Sequence, residues 1–373
     1  MARGAGASGI DLVERGTVAA TIRDVAREAG VLVATVSRVL NNSGAVREET
    51  RRRIEDVARR LRYTPNSAAR SLSTRKTRTI GVLLPDLHGE FFSEVIRGID
   101  QVVQAAGWHL LVSSSHNEQA AIEAALRAMR GRVDGLLVMT PDLDPHALAA
   151  NLPEQLPVVL LNCAVADRTY DSVNIDNYAG ARAEAEHVLG LGHRRIGLIT
   201  GPERNHDARE RLRGVLDVLA AEGAAPRTEW RVPGDFSERS GYEAAERILA
   251  AADRPTALIA ANDSMAIGAL GALRERGIRV PAEMTVVGFD DIPIARYVAP
   301  PLTTVRVTIP ALGERSTRRL FAAMRSNGRQ ECVQELLPTE LVVRDSCAAV
   351  EAGNGAVTTR VPAERSLNEE VAP

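Results

Sequence analysis

Thr21-Ile22-Arg23-Asp24-Val25-Ala26-Arg27-Glu28-Ala29-Gly30 and, two residues on, Val33-Ala34-Thr35-Val36-Ser37-Arg38-Val39-Leu40-Asn41 decide what kind of head this 373-residue chain carries. Ile22, Val25, Ala26 and Ala29 fall at helical spacing and make one apolar stripe, and Val36, Val39 and Leu40 make another. Gly30 stands where the chain must bend sharply. The small residues Ala26, Ala29 and Gly30 let two short helices cross steeply, which is the helix-turn-helix geometry. Thr35, Ser37 and Arg38 are then left facing outward, where a recognition helix offers side chains to DNA.

A plain helical hairpin would show the same stripes, and charge separates the two possibilities. Between Thr21 and Arg78 there are 14 Lys+Arg against 6 Asp+Glu, a net of +8. The whole chain is −2, so the remainder sums to about −10. A basic module on an acidic body is the footprint of a nucleic-acid-binding head joined to something with another task.

At this length two or three compact units are expected. The hydrophobic share of 45% is ample for cores, and the 3% aromatic share rests them on Ala, Val, Leu and Ile. No run is long or apolar enough to span a bilayer. No export signal is expected, since no basic region leads into an apolar run at the start. Cys163, Cys332 and Cys347 are scattered, odd in number and not at metal-ligand spacing, so reduced thiols in a cytoplasmic protein are expected.

Residues 1–20, rich in Gly and Ala, read as a disordered extension or a mis-set start. A third helix is expected from about Glu48 to Leu61, with Ile54, Val57, Ala58 and Leu61 packing on the first two. Pro65 stops it, and Asn66 suits the N-cap of a short helix that is marginal without a partner. From Thr79 the pattern alternates. Ile80–Leu84, Gly135–Met139, Arg195–Ile199, Ala257–Ala260 and Thr285–Phe289 read as buried parallel strands. Phe92–Ala106, Gln119–Arg130, Ala179–Leu191, Glu210–Glu222 and Glu238–Ala251 read as helices between strands. Such alternation implies doubly wound α/β sheets, and the strands are too many for one sheet, so two similar lobes are expected. Ligands of such sheets lie beyond the carboxyl ends of the strands. Residues 346–373 read as a flexible tail.

Several segments now fall in a telling order. They are Thr21–Asn41, Tyr63-Thr64-Pro65-Asn66 through Arg70-Ser71-Leu72, Ile80–Asp86 with Phe91-Phe92, and Val133-Asp134-Gly135. Further on come Leu191-Gly192-His193-Arg194-Arg195-Ile196, Gly201-Pro202, and Ala208-Arg209-Glu210-Arg211-Leu212. Asn262-Asp263-Ser264-Met265-Ala266, Gly288-Phe289-Asp290-Asp291 and Pro301-Leu302-Thr303-Thr304-Val305 complete the series. Over about residues 21–345 the chain resembles the lactose-repressor (LacI/GalR) family of bacterial transcription regulators.

The resemblance implies an all-α helix-turn-helix DNA-binding domain at 21–64 and a hinge helix and linker at 65–78. A two-lobed, periplasmic-binding-protein-like domain for effector binding and dimerisation would fill 79–345. Its first lobe would take about 79–174 and 306–328, its second about 175–305 and 329–345. The resemblance further implies a homodimer, or a dimer of dimers, on a pseudo-palindromic double-stranded operator. Val33, Ala34 and Arg38 would read bases, and a two-pronged bond from Arg38 to guanine is worth ~1–3 kcal/mol of discrimination. Thr21, Thr35, Ser37, Asn41 and Tyr63 would hold phosphates, which sets register. Asn66, Ala69, Arg70 and Leu72 would lie in the minor groove, Leu72 as an apolar wedge. Leu32 and Arg47 depart from the family pattern, each standing where a capping hydroxyl is usual.

Between the lobes the resemblance places a small-molecule effector, with Phe91, Asn162, Arg211, Asn262 and Asp290 as its liners. Arg211 and Asp290 suit a ligand dense in hydroxyls or ring nitrogens. His88-Gly89-Glu90 departs from the family's Asn-Pro step and puts a carboxylate near the cleft's lip, while Asn162 replaces an acidic residue. A sugar-like inducer is expected, with a co-repressor such as a purine as the alternative. No cofactor or metal is expected, and no catalysis: there is no phosphate-cradling glycine loop and no metal-spaced His cluster. A secreted solute-binding protein would share the body but lack the basic head.

Overall fold

The computed structural model describes residues 20–41, 44–64, 76–116, 118–142, 152, 156–163, 170–326 and 332–350. The chain divides at Thr77/Arg78 into two compact units. The hinge residues Asn66, Ala69, Arg70 and Leu72 lie outside the described residues, as do 1–19 and 351–373.

Among the described residues the first unit is three helices, α1 (Ile22–Ala29), α2 (Val33–Leu40) and α3 (Glu48–Arg60). Thr21 and Asp24 form a reciprocal capping box that starts α1. Gly30 ends it at φ 64, a left-handed conformation that a side chain would resist. Val25, Ala26, Ala29, Val36, Val39, Ile54, Val57 and Ala58 close the core. These are the stripes expected from the sequence. Arg60 pairs with Glu28 at 2.5 Å, tying α3 to α1.

The second unit holds two six-stranded sheets. Its strands are β1 (Thr79–Leu84), β2 (His109–Ser114), β3 (Gly135–Val138), β4 (Val158–Leu161), β5 (Asp171–Ile175) and β6 (Ile196–Thr200). After them come β7 (Arg231–Pro233), β8 (Ala257–Ala260), β9 (Thr285–Asp290), β10 (Thr303–Val307), β11 (Gln334–Leu337) and β12 (Thr339–Val342). Among the described residues its helices are α4 (Glu90–Ala105), α5 (Gln119–Met129), α6 (Asn177–Gly190) and α7 (His206–Ala221). The set ends with α8 (Glu238–Leu249), α9 (Asp263–Glu275) and α10 (Ile309–Arg325).

The sheet orders are β11-β5-β4-β3-β1-β2 and β12-β10-β9-β8-β6-β7. Every pairing is parallel except β10 with β12. Apolar central strands such as β3, β4, β8 and β9 are buried on both faces, as parallel sheets covered by helices require. The chain passes between the lobes three times: from β5 to α6, from β10 to α10, and from β11 to β12.

Two expected boundaries differ. The stretch 329–345, expected whole in the second lobe, is divided: β11 pairs with β5 in register Gln334↔Ser172 and so completes the first. The tail does not begin at 346. Ser346 is fully buried, its hydroxyl donating to Val286 O at 2.6 Å, and Val350 N donates to Leu191 O at 2.9 Å. His193, in the Gly-His-Arg-Arg turn, bonds Thr256 Oγ1 and Ala348 O and so pins this segment down.

Candidate functional site

On the head, Val33, Ala34 and Arg38 all lie on the exposed face of α2, with Thr35 and Ser37 half-buried beside them. Arg38 lies one turn beyond Ala34, so the three share one patch. Among the described residues, no hydrogen bond or ion pair engages the Arg38 guanidinium. Thr21, expected to hold a phosphate, spends its hydroxyl hydrogen on Asp24 at 2.7 Å. Ser37 accepts from Asn41 Nδ2 at 3.2 Å, and Tyr63 is half-buried against the head's core. Leu32 precedes α2 with no side-chain cap and is 77% exposed, so among the first-turn N–H groups of the recognition helix only Thr35 N, which donates to Leu32 O at 2.9 Å, has a partner in the described residues. Arg47 leaves α3 uncapped in the same way.

In the body, Arg211 lies buried in the second lobe at the carboxyl ends of β8 and β9, against Ala261 and Asp290. Residues Asn205–Ala208 start α7 with an Asn cap, which projects Arg211 from the helix's second turn into the second lobe's interior. Its Nε donates to Asn177 Oδ1 at 2.8 Å, its Nη1 to Ala261 O at 2.7 Å, and its Nη2 lies 2.9 Å from Asp290 Oδ1. The guanidinium stacks on Phe289 with its carbon 3.8 Å from the ring centre. Gly180 of α6 makes room for that ring, since a Cβ there would come within 2.8 Å of Phe289 Cζ. A guanidinium carries five N–H groups, so about two remain for a ligand.

Arg211 is 5% exposed and Asp290 4%. The contact between them is an ion pair rather than an aligned hydrogen bond, because Oδ1 accepts no directed N–H from any described residue. Burial raises the Asp290 carboxyl above the usual range, opposed by Arg211. Two more carboxyls, Asp207 and Glu184, stand around the same guanidinium, and a third, Asp263, stands beside Asp290. Burial pushes Asp207 up to about 7, although Asn177 Nδ2 donates to it at 2.9 Å. Asp263 is also pushed up by burial, although Thr304 Oγ1 and Ile292 N donate to it. Glu184 is raised chiefly by desolvation, and its Oε2 has no partner among the described residues. Glu184, Thr200 and Arg211 line a cavity of about 20 Å3, room for a single water. One cation thus faces three carboxyls, with a fourth behind Asp290, and a cluster of that many is tolerated only with protons or added donors.

Asn162, directly after β4, is 1% exposed. Its Oδ1 accepts from Ile175 N at 3.0 Å, while its Nδ2 is buried without a partner among the described residues. Phe91, at the start of α4, is half-buried and meets Phe92 edge-on at 5.5 Å. Asn262 is fully committed to the protein: its Oδ1 caps α9 and its Nδ2 donates to Phe236 O at 3.0 Å. Phe236, Asp142, Asp207 and Glu184 were not singled out in the sequence. Phe236 sits at φ 72, Asn162 at 45, Asp290 at 111 and Asp291 at 53. Four non-glycine residues in the left-handed half of backbone space at strand ends mark strain concentrated where a ligand would sit. Asp291 itself is occupied, its carboxylate paired with Arg306 at 2.8 Å and with Arg344. Arg209 is exposed and bonds the carbonyls of Glu203 and Arg204.

Known proteins share this arrangement. The model of bacterial regulatory proteins of the lacI family matches residues 21–66, and that of a periplasmic binding protein-like domain matches 185–347. The HTH-type transcriptional repressor PurR of Mannheimia succiniciproducens is 33% identical over 88% of this chain and 98% of its own length. The HTH-type transcriptional regulator GalS of Salmonella typhimurium is 39% identical over 80% of this chain and 88% of its own. The crystal structure of the Lac repressor dimer bound to operator and the anti-inducer ONPF is similar at a TM-score of 0.80 and 32% identity, covering 88% of this chain and 99% of that one. Taken with the basic three-helix head and the paired sheets, these likenesses show that the chain belongs to the lacI family of bacterial regulatory proteins and is a DNA-binding transcriptional repressor of that family.

Proposed function

We propose that this repressor works in the cytoplasm as a homodimer, or a pair of dimers, whose two recognition helices enter successive major grooves of a pseudo-palindromic operator. Val33, Ala34 and Arg38 read bases there, and Thr35, Ser37, Asn41 and Tyr63 lie against the backbone. Asn66, Ala69, Arg70 and Leu72 are assigned to the minor groove. Exposed Leu87, Ile294 and Tyr297, the last 76% exposed, support self-association. The effector is a sugar-like inducer bound between the lobes against Phe91, Asn162, Arg211 and Asp290, with Asn262 shaping the site from behind.

The observation that carries this reading is the floor of the cleft. Arg211 is anchored from behind with N–H groups to spare, and among the described residues Asp290 Oδ1 has no directed donor and Asn162 Nδ2 no acceptor. A hydroxyl both donates and accepts, so a polyol satisfies all three. A flat heterocycle acting as co-repressor is the second reading, favoured by the edge-on Phe91–Phe92 pair at the wall. Either ligand must prefer one lobe arrangement by several kcal/mol, ~5.5 for near-complete reversal. The test is a thermal-shift screen of the full chain against sugars, polyols, nucleosides and purines. A ligand at a hundredfold excess over its dissociation constant adds ~2.7 kcal/mol of stability. Sugars or polyols alone should raise the melting point; a response to purines alone moves the assignment to the second reading. No response to any class refutes the cleft as an effector site.

A further inference from the structure

Glu90, the carboxylate that departs from the family pattern at the cleft's lip, does not face a ligand. Its Oε2 accepts the backbone N–H of Ile294 at 2.9 Å, across 204 residues of chain. The two belong to different lobes. Glu90 opens α4, which packs with α10 on the first sheet, and Ile294 lies in the short 3-10 turn Pro293–Arg296 that follows β9 of the second. The N–H groups that open a helical turn have no partner within it, and Pro293 contributes none at all. Glu90 therefore caps a turn of the opposite lobe. It also opens α4, whose N-cap Gly89 has no side chain to offer. A carboxylate there is favoured by the helix dipole as well.

The turn it holds is fixed from beneath. Ile292 N donates to buried Asp263 at 2.9 Å, and Asp291 is clamped by Arg306 and Arg344. A pull on Ile294 is thus a pull on the second lobe, not on a loose loop. A second bridge between the lobes, His206 N to Pro141 O at 3.0 Å, is backbone to backbone and indifferent to side-chain identity, and beside it Asn205 bonds Asp142. Glu90 is adjacent to Phe91, and Ile294 is four residues beyond Asp290, so this bond joins both proposed walls.

We propose that Glu90 is a positioning residue of the effector cleft, a strap that holds the two lobes together at the mouth so that Phe91 and Asp290 face each other before a ligand arrives. This rests on the cleft being the effector site, but its test needs no effector. Ligand-free full-length protein, Glu90→Ala and Glu90→Gln are compared by hydrogen exchange of peptides covering Ile294 and by small-angle scattering.

Glu90→Ala should exchange the Ile294 amide roughly ten- to hundredfold faster, the range for a lost bond to a charged acceptor. It should also enlarge the radius of gyration while lowering the global melting point by only a few degrees. Glu90→Gln keeps a carbonyl acceptor and should restore most of the protection and the compactness. Faster exchange without expansion would show a cap that straps nothing, and unchanged exchange would show no bond; either overturns the proposal. Failure of the ligand screen, by contrast, would refute the cleft and leave these two measurements standing.

Discussion

Replacing Asp290 with Asn asks whether the buried Arg211–Asp290 pair exists for stability or for binding. Removing one partner of a buried ion pair commonly costs about 3–5 kcal/mol, because the other is left uncompensated. Here three features argue for a much smaller loss. Arg211 keeps Asn177 and Ala261 as acceptors and stays stacked on the Phe289 ring. Asn tolerates positive φ about as well as Asp, so the φ of 111 is not penalised afresh, as it would be with Ala. The third feature is linkage. Burial raises the Asp290 carboxyl above 3.8 despite Arg211, so the folded state holds its proton more tightly than the unfolded state does. Stability is therefore lost as pH climbs above 3.8 toward the raised folded value, and Asn, which cannot ionise, removes that loss.

We expect Asp290→Asn to unfold in urea at pH 7 within about 1 kcal/mol of the wild type, with the difference shifting in the variant's favour as pH rises. Operator affinity, read by fluorescence anisotropy, should be preserved, while the ligand that stabilises the wild type should no longer alter it. A loss of about 3 kcal/mol or more, of the size an uncompensated pair would cause, would mean the pair is structural. A retained ligand response would equally refute the reasoning.

Three further outcomes are expected. Arg38→Ala should weaken binding to the operator by ~1–3 kcal/mol and to random duplex far less, and equal losses in a competition titration would rule out base reading. Leu32→Ser supplies the cap that α2 lacks and should stabilise the isolated head by about 1 kcal/mol, measured by its thermal midpoint. Glu184→Gln should flatten the fall in stability at pH above 4.5. The wild-type carboxyl there is raised by desolvation and by Asp263 and Asp290, against the pull of Arg211; matching pH profiles would show that it ionises freely.

The head was legible because amphipathic helices write their buried faces into the sequence at a fixed period: Val25, Ala26, Ala29, Val36 and Val39 are buried as that period required. The central strands β1, β3, β6, β8 and β9 were legible as apolar runs. Edge strands were not. β11 (QELL) and β12 (TELV) are half-exposed and polar, and β11's allegiance to the first sheet depends on a chain crossing that no local pattern records. Helix α9 hid for the opposite reason, with eight of its 13 residues buried and hence no single stripe. In the cleft, Arg211 and Asp290 were placed through resemblance. Asp207, Glu184 and Asp142 acquire their character from burial, which only tertiary packing creates. Glu90 was noticed as an oddity of sequence, but its partner lies 204 residues away.

The three passages of chain between the lobes bear on how the protein is made. Neither sheet is complete until β11 and β12 have left the ribosome, since each is an outer strand of its own sheet and both come after residue 333. The three-helix head, built entirely from the first 64 residues, has no such dependence and can fold while most of the polypeptide is unsynthesised. A premature stop near residue 300 would therefore leave a competent DNA-seeking module attached to two unfinished sheets with open edges, a species prone to aggregate and deaf to any metabolite.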